Sequence, residues 1–285
     1  MNAAKAGQDT NAGRRLVVCV DDFGLNVAVD GSVIALARAG RISATGVLVD
    51  APRWPTDASR LAQEAGDRLD VGLHLNLSES FPSRPAMHDW SGLVLRAYAG
   101  GLQREALRAE VDRQLDAFER AWGRAPDFVD GHRHVHQLPV VRDALIAAML
   151  ARYAAGRRPW LRCTLAAPGG APTAGDAFKA AVIGALGGRA LQNRARREGL
   201  ATNRRMLGVY GFQGTPAEHE RRLAGWLKAA GDGDLLMCHT ALAGPGTAGD
   251  PIAGARQVEH AVLAGGAFSR LLDEGQVRIT RGPRG

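Results

Sequence analysis

Strand-like and helix-like segments alternate along almost the whole chain, and that alternation limits its fold more than any other feature. Apolar runs of strand length lie near residues 16–21, 43–49, 69–77, 127–131, 159–164, 206–212, 234–238 and 276–280. Helical patterns separate most of them. Val29, Val33, Leu36 and Gly40 mark the first. Leu107, Val111, Leu115, Phe118 and Trp122 recur at intervals of 4, 4, 3 and 4, on one helix face that Gly123 and Pro126 end. Val141, Leu145 and Met149 mark another. Thr215-Pro216-Ala217-Glu218 is a helix start, with Thr as N-cap, Pro in the first turn and Glu closing a capping box; Leu223, Trp226 and Leu227 follow it. Repeated β-α units imply an α/β fold with a parallel sheet, open or closed into a barrel.

Polar residues at the strand ends favour the barrel. Asp21-Asp22-Phe23-Gly24 ends the first strand, His74 lies in Gly-Leu-His-Leu-Asn-Leu at the third, and His132-Arg133-His134-Val135-His136 follows the fourth. Arg162 ends the fifth and His239, in Met-Cys-His, the seventh. In a barrel all such ends face one mouth, whereas a doubly wound sheet gathers its chemistry at a switch point. Neither a GxGxxG nor a P-loop follows the first strand. No repeat or second domain is visible, so residues 15–285 are expected to form a single (β/α)-barrel domain.

One carboxylate and two neutral imidazoles hold a divalent ion while leaving positions for water and substrate. The Asp pair has a plainer reading, capping of a helix that begins near Leu25. Adjacent residues on an extended strand point to opposite sides, so one cap does not account for both. On an extended chain His132, His134 and His136 share one side, where one binds metal and a neighbour supports it or meets a sugar. Asp130 is placed to orient a ligand imidazole through its other nitrogen. His88, His219 and His260 have no such company and are expected at the surface.

Composition narrows the remaining classes. The chain is 46% apolar and 23% charged, with no apolar run of membrane-spanning length. Met1 to Arg15 is polar and lacks the core of a signal peptide, so residues 1–14 are expected to be a disordered lead-in to a cytoplasmic protein. Cys19, Cys163 and Cys238 share no metal-knuckle spacing and read as reduced residues. The net charge of +7 is nearly all Arg; only Lys5, Lys179 and Lys228 are Lys. The cluster Arg189, Arg194, Arg196, Arg197, Arg204 and Arg205 has no interleaved aromatics, so nucleic acid is not an expected partner. Peripheral contact with an anionic membrane stays open, and the sequence leaves open a homo-oligomer.

Asp-Asp-Phe-Gly, Gly-Leu-His-Leu-Asn-Leu, Asp-Gly-His-x-His-Val-His and Met-Cys-His resemble, in order and spacing, the YdjC-like carbohydrate deacetylases (the ChbG/HpnK family). This group includes chitooligosaccharide deacetylases and hopanoid-associated proteins. The resemblance runs from about Arg15 to Thr280 and takes in Gly199-Leu200-Ala201-Thr202-Asn203. It implies a distorted TIM-like barrel related to the NodB polysaccharide deacetylases. It places a metal triad, for one Mg or Zn ion, on Asp22, His74 and His132, the base on Asp21 and the acid on His239. Asp130, His134, His136, Arg162, Asn76 and Asn203 become supporting or substrate-contacting residues. Val20 stands where the family commonly has Ala, and Thr240 where Pro usually follows the last His, which leaves the backbone at His239 less constrained.

The implied reaction is hydrolysis of an N-acetyl group on an amino sugar to a free amine and acetate. The acid would protonate a poor leaving group, and His239 suits that work if its pKa is tuned near neutrality. Two long segments, 79–102 with Trp90 and the basic 165–203, are expected to line the mouth. The basic segment would grip the remainder of an oligosaccharide or glycolipid. Competing readings are a metal-dependent hydrolase acting on a phosphoester or another amide, and a catalytically silent metal- or sugar-binding protein.

Overall fold

β1 (Arg14–Phe23) is the spine of the sheet, buried from Leu16 onward on both faces, as a central parallel strand covered by helices must be. The computed structural model describes residues 13–65, 68–244, 247 and 249–283. The expected disordered lead-in lies outside the described residues as far as 12. Arg14, expected within that lead-in, instead pairs with Val277.

All eight expected strands are present and every pairing is parallel. The hydrogen-bonded path runs β5 (Trp160–Leu161), β4 (Phe128–Gly131), β3 (Asp70–Leu75), β2 (Ala44–Val47), β1, β7 (Asp234–Cys238), β6 (Met206–Leu207). β8 (Val277–Ile279) departs from a regular barrel by pairing only with β1. The Leu16 carbonyl accepts from Thr280 and the Val18 carbonyl from Ser43. Since alternate carbonyls point the same way, β8 lies below β2 on one flank of β1 while β7 takes the other. The fold is therefore a distorted (β/α) barrel.

Strands β5 and β6 are shorter than their apolar runs. Gly208 ends β6 with φ +94°, where a side chain would strike the Met237 carbonyl of β7. Irregular backbone closes the seam between them: Leu161 N–H donates to Ala201 at 2.9 Å and Met206 N–H to Leu165 at 2.8 Å. Asn203 completes it, accepting from Cys163 N–H at 2.7 Å and donating to the Cys163 and Arg205 carbonyls.

Ten helices are described: α1 (Val27–Arg38), α2 (Trp54–Ala65), α3 (Trp90–Ala99), α4 (Arg104–Trp122), α5 (Val141–Arg152), α6 (Ala174–Ile183), α7 (Arg189–Arg197), α8 (Pro216–Ala229), α9 (Ala253–Ala264) and α10 (Gly266–Glu274). In α4 the face spaced 4-4-3 buries Leu107, Val111, Leu115 and Phe118, and Gly123 ends the helix at φ +77°. The α8 capping box forms as its sequence dictates. The core runs continuously from Leu16 to Val277, which makes the described residues one domain. His219 departs from expectation: it is buried on α8 against Tyr210 and Trp226, because it shares the face of Leu223 and Trp226. Nδ1 of His260, half-buried, lies 2.7 Å from Ser32 Oγ. No helix among the described residues is long and apolar enough to cross a membrane.

Candidate active site at the barrel mouth

Both aspartates at the end of β1 reach the mouth because the strand is irregular there. Its register against β2 shifts between Val20 and Phe23, and Asp22 takes φ +72°. Such a backbone costs a non-glycine residue about 1–3 kcal/mol and persists where its surroundings fix it. The capping alternative fails, since Asn26 caps α1, accepting from Ala28 and Val29 N–H.

Three side chains converge from β1, β3 and the turn after β4. Donor atoms of Asp22, His74 and His132 lie within 4.8 Å of one another. Asp22 Oδ1 is 3.5 Å from His74 Nε2 and 3.1 Å from His132 Nδ1. Ligands about 2.1 Å from a tetrahedral ion stand about 3.4 Å apart. Asp130 Oδ1 lies 2.7 Å from His74 Nδ1, so the carboxylate accepts a hydrogen bond from Nδ1–H and leaves the Nε2 lone pair toward Asp22. An oxygen and two imidazole nitrogens so arranged fit a divalent ion. A second cluster, Asp21, His74 and Asp130, does not, because the Arg162 guanidinium already fills it at 2.6 Å from both carboxylates.

These contacts set the charges. Burial opposes ionisation of Asp21 and Asp22, but Arg162 on the first and Arg256 on the second hold both carboxyls below their usual range. Burial also opposes protonation of His132, yet Asp22 and then Glu79 raise it to about 9. His239, on the residue after β7, behaves oppositely: burial lowers it to about 4. It therefore rests neutral, well below the near-neutral value expected of it.

The His triplet is not extended. Residues 132–137 form two tight turns joined through left-handed Arg133 and His134, so the three imidazoles do not share a side. His132 joins the candidate triad, His134 lines the cavity, and His136 turns inward, its Nε2 3.1 Å from the Arg162 carbonyl. Asn76 does not line the cavity but holds the following loop, and Asn203 is spent on the β5–β6 seam.

Several contributors escaped the sequence reading. On α9, Arg256 Nη2 lies 2.7 Å from Asp22 Oδ2, and Glu259 accepts from His239 N–H at 2.8 Å and Tyr210 Oη at 2.7 Å. Their i, i+3 spacing on one helix face was the available signal. Thr240 also corrects an expectation. Its hydroxyl accepts from Ser32 at 2.7 Å, and Ala241 N–H donates to the Arg256 carbonyl, so the backbone beside His239 is tied down without proline.

The site opens into a cavity of about 950 Å³. Phe178, Val182, Ile183 and Leu186, from α6 and the π-helical turn after it, form one wall, and Phe81, Pro82 and Trp90 form part of another. Phe178 is 73% exposed. The Arg cluster expected here lies elsewhere. Arg194, Arg196 and Arg197 end α7, which leads into the N-terminal side of β6, and Arg158 before β5 donates to the Glu198 carbonyl there. That is the opposite end of the barrel.

Known proteins resemble this chain in sequence and in fold. A carbohydrate deacetylase of Mus musculus is 34% identical over 150 residues, covering 48% of this chain and 47% of that protein. A chitooligosaccharide deacetylase of Yersinia pestis (strain Pestoides F) is 33% identical over 140 residues, covering 47% and 54%. The chain thus matches about half the length of these curated relatives. A protein of Enterococcus faecalis V583 assigned to cellobiose-phosphate cleavage shares the fold, with a TM-score of 0.69 at 17% identity over 94% of this chain and 97% of that one. The Bc1960 peptidoglycan N-acetylglucosamine deacetylase shares it with a TM-score of 0.51 at 12% identity, over 96% and 88%. The YdjC-like protein family matches residues 15–274, and the chain belongs to that family.

Proposed function

We propose that this chain is a metal-dependent hydrolase that removes the N-acetyl group from an amino sugar carried on a larger molecule. The observation that carries the reading is the convergence of Asp22, His74 and His132 beside Asp21 and His239 in one cavity. The names of the relatives support the same chemistry. A divalent ion, Mg or Zn, held by that triad would supply Lewis-acid polarisation of the acetyl carbonyl and activate water.

Asp21 takes a proton as water attacks the acetyl carbon. Arg162 fixes the direction of its carboxylate with nitrogens 2.6 Å from each oxygen. As negative charge gathers on the tetrahedral intermediate, His239 takes up a proton from solvent and gives it to the nitrogen as the C–N bond breaks, while Asp21 returns its proton to solvent, so that both groups end as they began. His239 starts neutral, and the negative charge growing on the substrate is what raises its proton affinity. Glu259 and the Ser32–Thr240 contact hold its backbone in place.

The apolar wall from α6 suits a hydrophobic group attached to the sugar, so a glycolipid, hopanoid-linked sugars included, fits better than a polyanionic oligosaccharide. Buried free thiols at Cys19, Cys163 and Cys238 are in keeping with a cytoplasmic setting. The test is a mass-spectrometric screen of the metal-loaded protein on N-acetylglucosamine, chitobiose and an N-acetylglucosaminyl lipid, with phosphate release from phosphosugars assayed alongside. Loss of one acetyl group from the lipid-linked sugar is the expected result. Phosphate release without acetate would replace the reading with a phosphoesterase.

A further inference from the structure

Glu79 stands at the cavity wall without a part in the chemistry proposed above. Its Oε2 lies 3.0 Å from an Arg133 nitrogen and 3.8 Å from His132 Nε2, the imidazole nitrogen turned away from Asp22. The loop that presents it is built with unusual care. Asn76 accepts from the Glu79 N–H at 2.9 Å and donates to the Glu79 carbonyl at 2.7 Å. Asn76 is itself gripped through both backbone groups by the buried Gln114 of α4, at 3.0 and 2.6 Å. An exposed loop glutamate has no need of such support.

The same arrangement exists on the other imidazole, where Asp130 holds His74 Nδ1 and leaves Nε2 toward Asp22. We infer that Glu79 is a positioning residue for His132. It accepts a hydrogen bond from Nε2–H, which keeps the proton on that nitrogen, so that the Nδ1 lone pair faces Asp22 and any ion bound there. A side-chain rotation closes the 3.8 Å gap, and the Glu79 side chain, 39% exposed, is free to make it. Arg133, held at φ +51°, fixes the carboxylate from its outer side. Carboxylate partners of this kind change metal affinity about 10–100-fold when removed.

This inference rests on the metal site proposed above, and the experiment separates the two. Zinc affinity is measured by competition with a chromophoric chelator for wild type, Glu79→Ala, Glu79→Gln and Glu79→Asp, together with the melting temperature of each metal-free protein. The expected result is wild-type binding of one zinc, a loss of about 10-fold or more in the Ala and Gln variants, partial recovery in Asp, and unchanged metal-free melting. Wild-type affinity in Glu79→Ala overturns the inference, and if KM for the sugar rises there instead, Glu79 contacts substrate. A wild-type protein that binds no zinc removes the metal site, and this inference with it.

Discussion

Arg162 binds Asp21 through two nitrogens, each 2.6 Å from a different carboxylate oxygen, and reaches Asp130 with one of them at 2.6 Å. All three groups are buried. One guanidinium thus fixes the proposed base and, through Asp130, the imidazole of His74.

Replacing Arg162 by Met leaves two carboxylates buried without their cation. The expected loss of stability is about 3–5 kcal/mol, as for other broken buried pairs, measured by urea unfolding. A loss below about 1 kcal/mol would mean that water, not Arg162, holds Asp21 and Asp130.

Asp21→Asn and His239→Ala are expected to keep stoichiometric metal and to lose turnover of an N-acetylated amino sugar by about 10²-fold or more. Metal content by elemental analysis and initial rates separate binding from chemistry. Full activity in either variant takes that residue out of the proton transfers.

Substrate choice should follow the apolar wall and not the arginines. Phe178→Ser with Val182→Ser is expected to raise KM for a lipid-linked sugar while sparing a soluble disaccharide. Neutralising Arg194, Arg196 and Arg197, at the far end of the barrel, should change neither. A loss on arginine removal alone would return the basic helix to the substrate path.

Burial, with Arg222 adding to it, lowers His219 from 6.5 to about 4. Between those values the unfolded chain binds the proton and the folded chain does not, so stability rises with pH across that window and falls as acid is added. His219→Gln should flatten the dependence of the unfolding free energy on pH between 4 and 6.5, read from urea titrations. An unchanged slope would assign the acid sensitivity to other groups.

The sheet was legible because parallel strands buried on both faces appear as continuous apolar runs, and α8 because Thr215 and Glu218 are three residues apart. The residues that converge at the mouth were legible because strand ends share one face of a barrel. Arg256 and Glu259 were not, since they approach from α9, far along the chain from Asp22. The left-handed turn at Asp22 is imposed by tertiary contacts that no local pattern encodes. Of segment 165–203, the first part does line the mouth through Phe178, Val182 and Leu186, whereas its terminal arginines were misplaced: residues just before β6 must lie at that strand's N-terminal end, away from the mouth. The burial of His219 is legible only with Leu223 and Trp226, which follow it at helical spacing on the buried face of α8.

The central claim is that Asp22, His74 and His132 hold one divalent ion. It is tested most directly by metal content after dialysis against zinc, in wild type and in Asp22→Ala, His74→Ala and His132→Ala, each checked for folding by circular dichroism. The account predicts one ion per wild-type chain and none in any folded variant. Equal metal content in wild type and all three variants would contradict it.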